Sequence, residues 1–370
     1  MRIGSPARRD VFALVTALLV LLLSAGGATA QPRGERAAAP ADILDTVARD
    51  LARSLADPAW SADVRHAALA AGEVDIAALA ARTGAPASLT GRLDGAHAGL
   101  ARAKGLTGHA GSLLSLRLGD SRMRAALTAR GGATPLVAAA TTDDTATGTV
   151  TAYGSDGRAH TLDARTAPAR PVYVVDIDAQ EALTAGLGVL REELTAAGLD
   201  AEGVTAQAGF WSSRITSIRL EDDQEPWAKG SAEIYALVTG FGHDGKARVD
   251  PVKLPYLDED GTTYTPNQIL VNWSFYKYSL ADVVLMEEDG STNYRELARA
   301  IAGALLTIID QGFYIPLVDA VLDALPDDWW TDDPDYVDSW YTLAVDTAGT
   351  LTGAAGNGTL TLDRYWVPEL

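Results

Sequence analysis

Ala232-Glu233-Ile234-Tyr235-Ala236-Leu237-Val238-Thr239 reads as a β-strand, and its composition repeats along the C-terminal half of the chain. Residues 215–220, 269–273, 282–286, 341–345 and 360–366 have the same strand-like character. Asp258-Glu259-Asp260-Gly261 and Glu287-Glu288-Asp289-Gly290 punctuate them as turns. One helix over 293–310 interrupts the strands, with Leu297, Ile301, Leu305, Ile308 and Ile309 as its buried stripe. A shorter helix covers 316–324. Residues 212–370 therefore read as an acidic antiparallel β-sandwich domain, C2-like, with a helical insertion. In the opening strand Glu233 and Tyr235 share one face. A buried Glu233 there needs a cation or an arginine as partner.

Upstream the pattern changes. In 41–132 the apolar spacing is helical: Ile43, Leu44, Val47, Leu51 and Leu55 recur at three- and four-residue steps before Asp57-Pro58. Ser61 and Ser88 are candidate caps for later helices, and 112–129 reads as a fifth helix closed by Gly131-Gly132. Residues 133–205 read as a small α+β unit. Its hairpin turns at Ser155-Asp156-Gly157, Val172-Tyr173-Val174-Val175-Asp176-Ile177 is a strand buried on both faces, and a helix over 182–197 ends at Gly198. The fold class is α+β: an N-terminal helical and α+β region followed by the sandwich.

The charge is unevenly spread. The chain has 370 residues, 30 Lys+Arg, 49 Asp+Glu and no Cys, for a net charge of −19. Between 221 and 340 there are 24 acidic and 7 basic residues, a net −17, so nearly all of the excess lies in one third of the chain. Such a charge repels phosphate chains at long range and argues against a nucleic-acid partner. Without cysteine there are no disulfides, thiolate metal sites or cysteine nucleophile.

The first 30 residues read as an export signal. Arg2, Arg8 and Arg9 form a basic start, residues 11–24 an apolar run, and Ala28-Thr29-Ala30 a small-x-small cleavage site. The run is shorter than the roughly 20 residues a membrane span needs. The expectation is a secreted protein, extracellular or in the cell envelope, with no stable membrane anchor after cleavage.

Asp327-Asp328-Trp329-Trp330-Thr331-Asp332-Asp333-Pro334-Asp335-Tyr336-Val337-Asp338 carries six carboxylates in twelve residues and no basic residue. At about 4 Å each like-charged pair costs roughly 1 kcal/mol even in water, so such crowding calls for a counter-ion. The tryptophans and tyrosine argue against a floppy tail. Ordered, crowded carboxylates suit Ca²⁺, which takes six to eight oxygen ligands. A second acidic loop, Glu221-Asp222-Asp223-Gln224-Glu225, joins two predicted strands. The candidate ligands are Asp222, Asp223, Glu225, Asp328, Asp332, Asp333, Asp335 and Asp338. Against this, solvated surface carboxylates would explain the same residues, and no stretch matches the calcium loop D-x-[DN]-x-[DN]-G.

Ile218-Arg219-Leu220-Glu221-Asp222-Asp223-Gln224-Glu225-Pro226-Trp227-Ala228-Lys229-Gly230-Ser231 leads into the opening strand. With Leu254-Pro255-Tyr256-Leu257-Asp258, Tyr264-Thr265-Pro266-Asn267-Gln268 and Asp332-Asp333-Pro334-Asp335-Tyr336-Val337-Asp338-Ser339, it resembles a bacterial secreted family, domain of unknown function 3103. The resemblance covers roughly 41 to the C-terminus. It implies an exported protein with a helical N-terminal portion and brings no activity with it.

Other constellations fail. His66, His97, His109, His160 and His243 lack H-E-x-x-H or any paired spacing, and no G-x-S-x-G elbow or phosphate-binding glycine loop precedes a helix. Trp273, Phe275, Tyr276 and Tyr278 divide between two strand faces, with core packing as the default and an aromatic platform for sugar or peptide as the alternative. Two functions remain. One is a calcium-stabilised extracellular binding module for a protein or glycan partner. The other is a secreted hydrolase using a carboxylate pair in the acidic domain.

Overall fold

Asp57 and Asp75 set the first helices. The computed structural model describes residues 38–129, 134–141, 148–199, 209–221, 227, 233–257, 261–288, 290, 292–325 and 336–368. It opens with α1 (Pro40–Ser54), α2 (Pro58–Ala70), α3 (Ile76–Arg82) and α4 (Ala87–Ala103). The Asp57 carboxylate accepts the N–H groups of Ala59 and Trp60, and that of Asp75 accepts Ala78 N–H. Pro58 takes the first helical position, where its missing donor is harmless. Ser61 and Ser88 lie inside α2 and α4 and cap neither.

The expected fifth helix is corrected. Its first part is strand β2 (Leu114–Leu118), and only α5 (Met123–Thr128) is helical. Leu114, Leu116 and Leu118 alternate with Ser115 and Arg117, a two-residue period that outweighs the helical spacing around it. Strand β2 joins β1 (Glu73–Asp75), β3 (Leu136–Ala139), β4 (Thr149–Tyr153), β5 (Ala159–Asp163) and β6 (Val172–Ile177) in one sheet, in the order β1-β2-β6-β3-β4-β5. Only the β3–β6 pair is parallel. Central β6 is apolar on both faces, as its sequence requires. The β4–β5 hairpin turns through Gly157 at φ +79°. Helix α6 (Ala179–Ala197) begins at the Asp178 cap and stops at Gly198, φ +73°.

The C-terminal half contains β7 (Phe210–Leu220), β8 (Glu233–Phe241), β9 (Ala247–Lys253), β10 (Gln268–Asn272), β11 (Leu280–Glu288), α7 (Tyr294–Leu305), α8 (Val318–Leu322), β12 (Tyr336–Ala344), β13 (Gly349–Thr352) and β14 (Gly358–Val367). These strands form two four-stranded antiparallel sheets, β10-β7-β14-β13 and β12-β11-β8-β9. Ile215, Ile218, Leu360 and Leu362 from the first share one core with Ile234, Ala236, Val238, Val283 and Leu285 from the second. The second sheet is also covered on its other side. Tyr235, Leu237, Val284 and Met286 pack in a larger core with Leu187 and Leu190 of α6 and Leu297, Ile301 and Leu305 of α7. Strands β8 and β11 are consequently buried almost throughout. Glu287 and Glu288 are the last residues of β11, not a turn, and Ile309 is exposed, beyond the end of α7.

Helices α6 and α7 approach closely through Gly186, where a Cβ would overlap the ring of Tyr294. Gly186→Ala is expected to cost about 1–3 kcal/mol by overpacking. A urea midpoint unchanged from the parent would show that the tyrosine ring moves aside freely.

Candidate functional site

Three strand ends meet at one end of the β12-β11-β8-β9 sheet. Strand β8 starts at Glu233, β11 finishes at Glu288 and β12 starts at Tyr336; register pairs Glu233 with Glu288 and Tyr336 with Met286. In sequence, 327–335 immediately precedes β12 and 221–225 lies seven residues ahead of β8; these two strands flank β11, each about 4.8 Å from it. Of the candidate ligands, Asp222, Asp223, Glu225, Asp328, Asp332, Asp333 and Asp335 lie outside the described residues, as do Trp329 and Trp330. Between the first segment and β8, Trp227 is fixed on the six-stranded sheet. Its indole N–H donates to Asp163 C=O at 3.0 Å, its own C=O accepts from Arg117 at 3.2 Å, and its ring fills the space left by Gly119.

Asp338 is the one candidate ligand among the described residues, and it is completely buried. One carboxylate oxygen accepts the N–H groups of Ser339 (2.7 Å) and Ala355 (2.8 Å), and the other accepts Gly358 N–H at 2.6 Å. It thereby ties β12 to the turn between β13 and β14. Gly353 in that turn must lack a side chain, because a Cβ would overlap the Asp338 carboxylate.

Three more buried carboxylates stand at the same end: Glu233, Glu287 and Glu288, each under a tenth exposed. Lys104, at the C-terminus of α4, is fully buried and pairs with Glu288 at 2.5 Å. The Tyr294 hydroxyl also donates to Glu288, and the Gln180 side-chain amide donates to Glu233. The approach of α4 is fixed by bonds to its last carbonyls: Lys104 C=O accepts Tyr294 N–H at 3.1 Å, and the Asn293 side-chain amide donates to Ala103 C=O at 2.8 Å. Asn293 also caps α7 by accepting Glu296 N–H. A carboxylate removed from water costs several kcal/mol unless paired in this way. Among the described residues no group of three His, Cys, Asp or Glu is arranged to hold a metal ion.

Further along β11, buried Asp282 accepts the N–H groups of Leu317 (2.6 Å) and Thr342 (2.7 Å). Burial pushes its carboxyl above the ordinary range, against the pull of those bonds. Thr342 sits at φ +54°, in a β-bulge that a branched side chain rarely tolerates.

A second feature was invisible in the sequence. Trp211 and Trp366 face each other across β7 and β14, their rings edge-to-face with centroids 5.1 Å apart. They remain 40% and 43% exposed, and the Arg364 guanidinium lies 3.7 Å from the Trp211 ring centroid. Trp273 and Tyr276, two of the aromatics singled out from the sequence, are core residues, as the default reading expects, although residues 273–275 form a 3₁₀ turn and not a strand.

A family model described as "Protein of unknown function (DUF3103)" matches residues 46–369. No curated protein and no solved structure matches the chain.

Proposed function

We propose a role for this chain, which belongs to the DUF3103 family, from its own geometry: an exported binding module whose acidic end is stabilised by Ca²⁺. The observation that carries the reading is the crowding of carboxylates in segments 221–225 and 327–335, which in sequence precede the two strands that flank β11, where among the described residues Lys104 supplies a buried ammonium. Anionic charge of that density favours a hard cation with oxygen ligands. Asp338 contributes by orienting the start of β12, since its oxygens are engaged by main-chain amides. The remaining seven carboxylates are the proposed ligands.

A hydrolase acting through a carboxylate pair would find Glu233 and Glu288 directly opposed. Both are buried and bonded to Gln180, Lys104 and Tyr294, so binding is the reading carried forward.

The test is thermal unfolding with a chelator and with added Ca²⁺. At free Ca²⁺ about 100 times Kd, mass action on the folded state adds about 2.7 kcal/mol. For a chain of this size that is a rise in Tm of roughly 3–5 °C. Equal melting temperatures in chelator and calcium would remove the ion from the proposal.

A further inference from the structure

The inner face of the β10-β7-β14-β13 sheet carries a row of side chains that begins in the core and runs out of it. Ile215 pairs with Leu362, Ser213 with Arg364 and Trp211 with Trp366. Ile215, Leu362 and Ser213 are buried, and Ser213 Oγ accepts the Trp273 indole N–H at 3.0 Å. The next pair, the two tryptophans, lies beyond that cover. Two large aromatic rings left partly in water, where β7 and β14 pair only with each other, form an exposed apolar patch of the kind that marks a binding site.

The arginines on β7 and β14 identify the ligand chemistry. On the opposite face Arg214 is spent: its Nε and Nη2 reach both Asp363 oxygens, at 3.0 and 2.6 Å, and it packs on Tyr365. Arg364, beside the tryptophans, has no carboxylate partner among the described residues and is held by Trp211 alone. A guanidinium stacked on an aromatic ring keeps its donors free and preset for a bidentate carboxylate. Tryptophan faces suit the C–H face of a pyranose ring. The net charge of −19 selects against densely charged polyanions and leaves a ligand whose negative charge is sparse and contacted at short range.

We infer that Trp211, Trp366 and Arg364 form a site for a carboxylate-bearing sugar of the uronate class. This rests on the binding-module reading and does not depend on calcium. The experiment is titration of the full-length protein with trigalacturonate and with the neutral trisaccharide of galactose, followed by tryptophan fluorescence and calorimetry. The uronate is expected to bind about tenfold more tightly, the weight of one charged contact. Arg364→Gln should abolish that preference, so that the uronate and the neutral sugar bind with equal affinity. Trp366→Ala should weaken both sugars by about tenfold, and Trp366→Phe by less. Unchanged Tm in the arginine variant separates lost binding from lost folding. The inference is overturned by the absence of saturable uronate binding, by a preference that survives Arg364→Gln, or by equal affinity for a tetraglutamate peptide. Saturable binding of a neutral glycan alone would overturn the uronate assignment while sustaining the binding module. No binding to any glycan or acidic peptide tried would remove both.

Discussion

Asp338→Ala is expected to lower the free energy of unfolding by about 3–5 kcal/mol, the range seen when one partner of a buried charged network is removed. Three main-chain donors, on Ser339, Ala355 and Gly358, end on this one carboxylate. Leaving each buried donor unsatisfied costs about 1–3 kcal/mol before any relaxation. Asp338→Asn keeps one carbonyl oxygen but turns an NH₂ toward donors, so its loss should be intermediate. Urea unfolding monitored by tryptophan fluorescence measures both. The loss should be the same in chelator and in Ca²⁺, because the role assigned to Asp338 is to hold β12 and the β13–β14 turn together. A loss that appears only in calcium would return Asp338 to the ligand set, and a loss below about 1 kcal/mol would mean that the amides find other partners.

Lys104→Met should be comparably severe, by about 3–5 kcal/mol, because it strands the Glu288 carboxylate in the interior. The side chain is the meeting point of α4, β11 and α7, so the damage is expected to extend to the way these elements pack. The double variant Lys104→Met with Glu288→Gln should recover most of the loss. The glutamine is neutral, and its oxygen can still accept from Tyr294. A double-mutant cycle by urea denaturation gives the coupling directly. Losses that add, without recovery, would show that methionine fails by packing rather than by charge.

The sequence made some of this legible and hid the rest for identifiable reasons. Strand β6 and the β4–β5 turn declare themselves, because a run rich in valine and isoleucine and an Asp-Gly pair each permit few conformations. Strand β2 went unread because short helices on either side suggested a continuous helical period, although Leu114, Leu116 and Leu118 alternate. Strand β9 went unread because it contains Pro251, which lacks a backbone donor; β9 pairs only with β8, and a sheet margin tolerates that loss. The acidic run around 327–338 read as a set of surface ligands. No local pattern marks Asp338 as different from its neighbours, yet the start of β12 at Tyr336 carries it inside. The tryptophan pair is beyond any local reading, since only the register of β7 against β14 brings Trp211 and Trp366 together.

The tie made by Asp338 has a further consequence for how copies of the protein behave in solution. Strand β12 is an outermost strand, the kind of exposed border whose free amides and carbonyls can template pairing with another chain. Here the β13–β14 turn folds over that border: Ala354 N–H bonds to Ser339 C=O, and the Asp338 carboxylate takes the amides that follow. The Thr342 bulge twists the strand where this cover ends. One buried carboxylate and one irregular residue thus blunt a surface that would otherwise invite sheet-to-sheet aggregation.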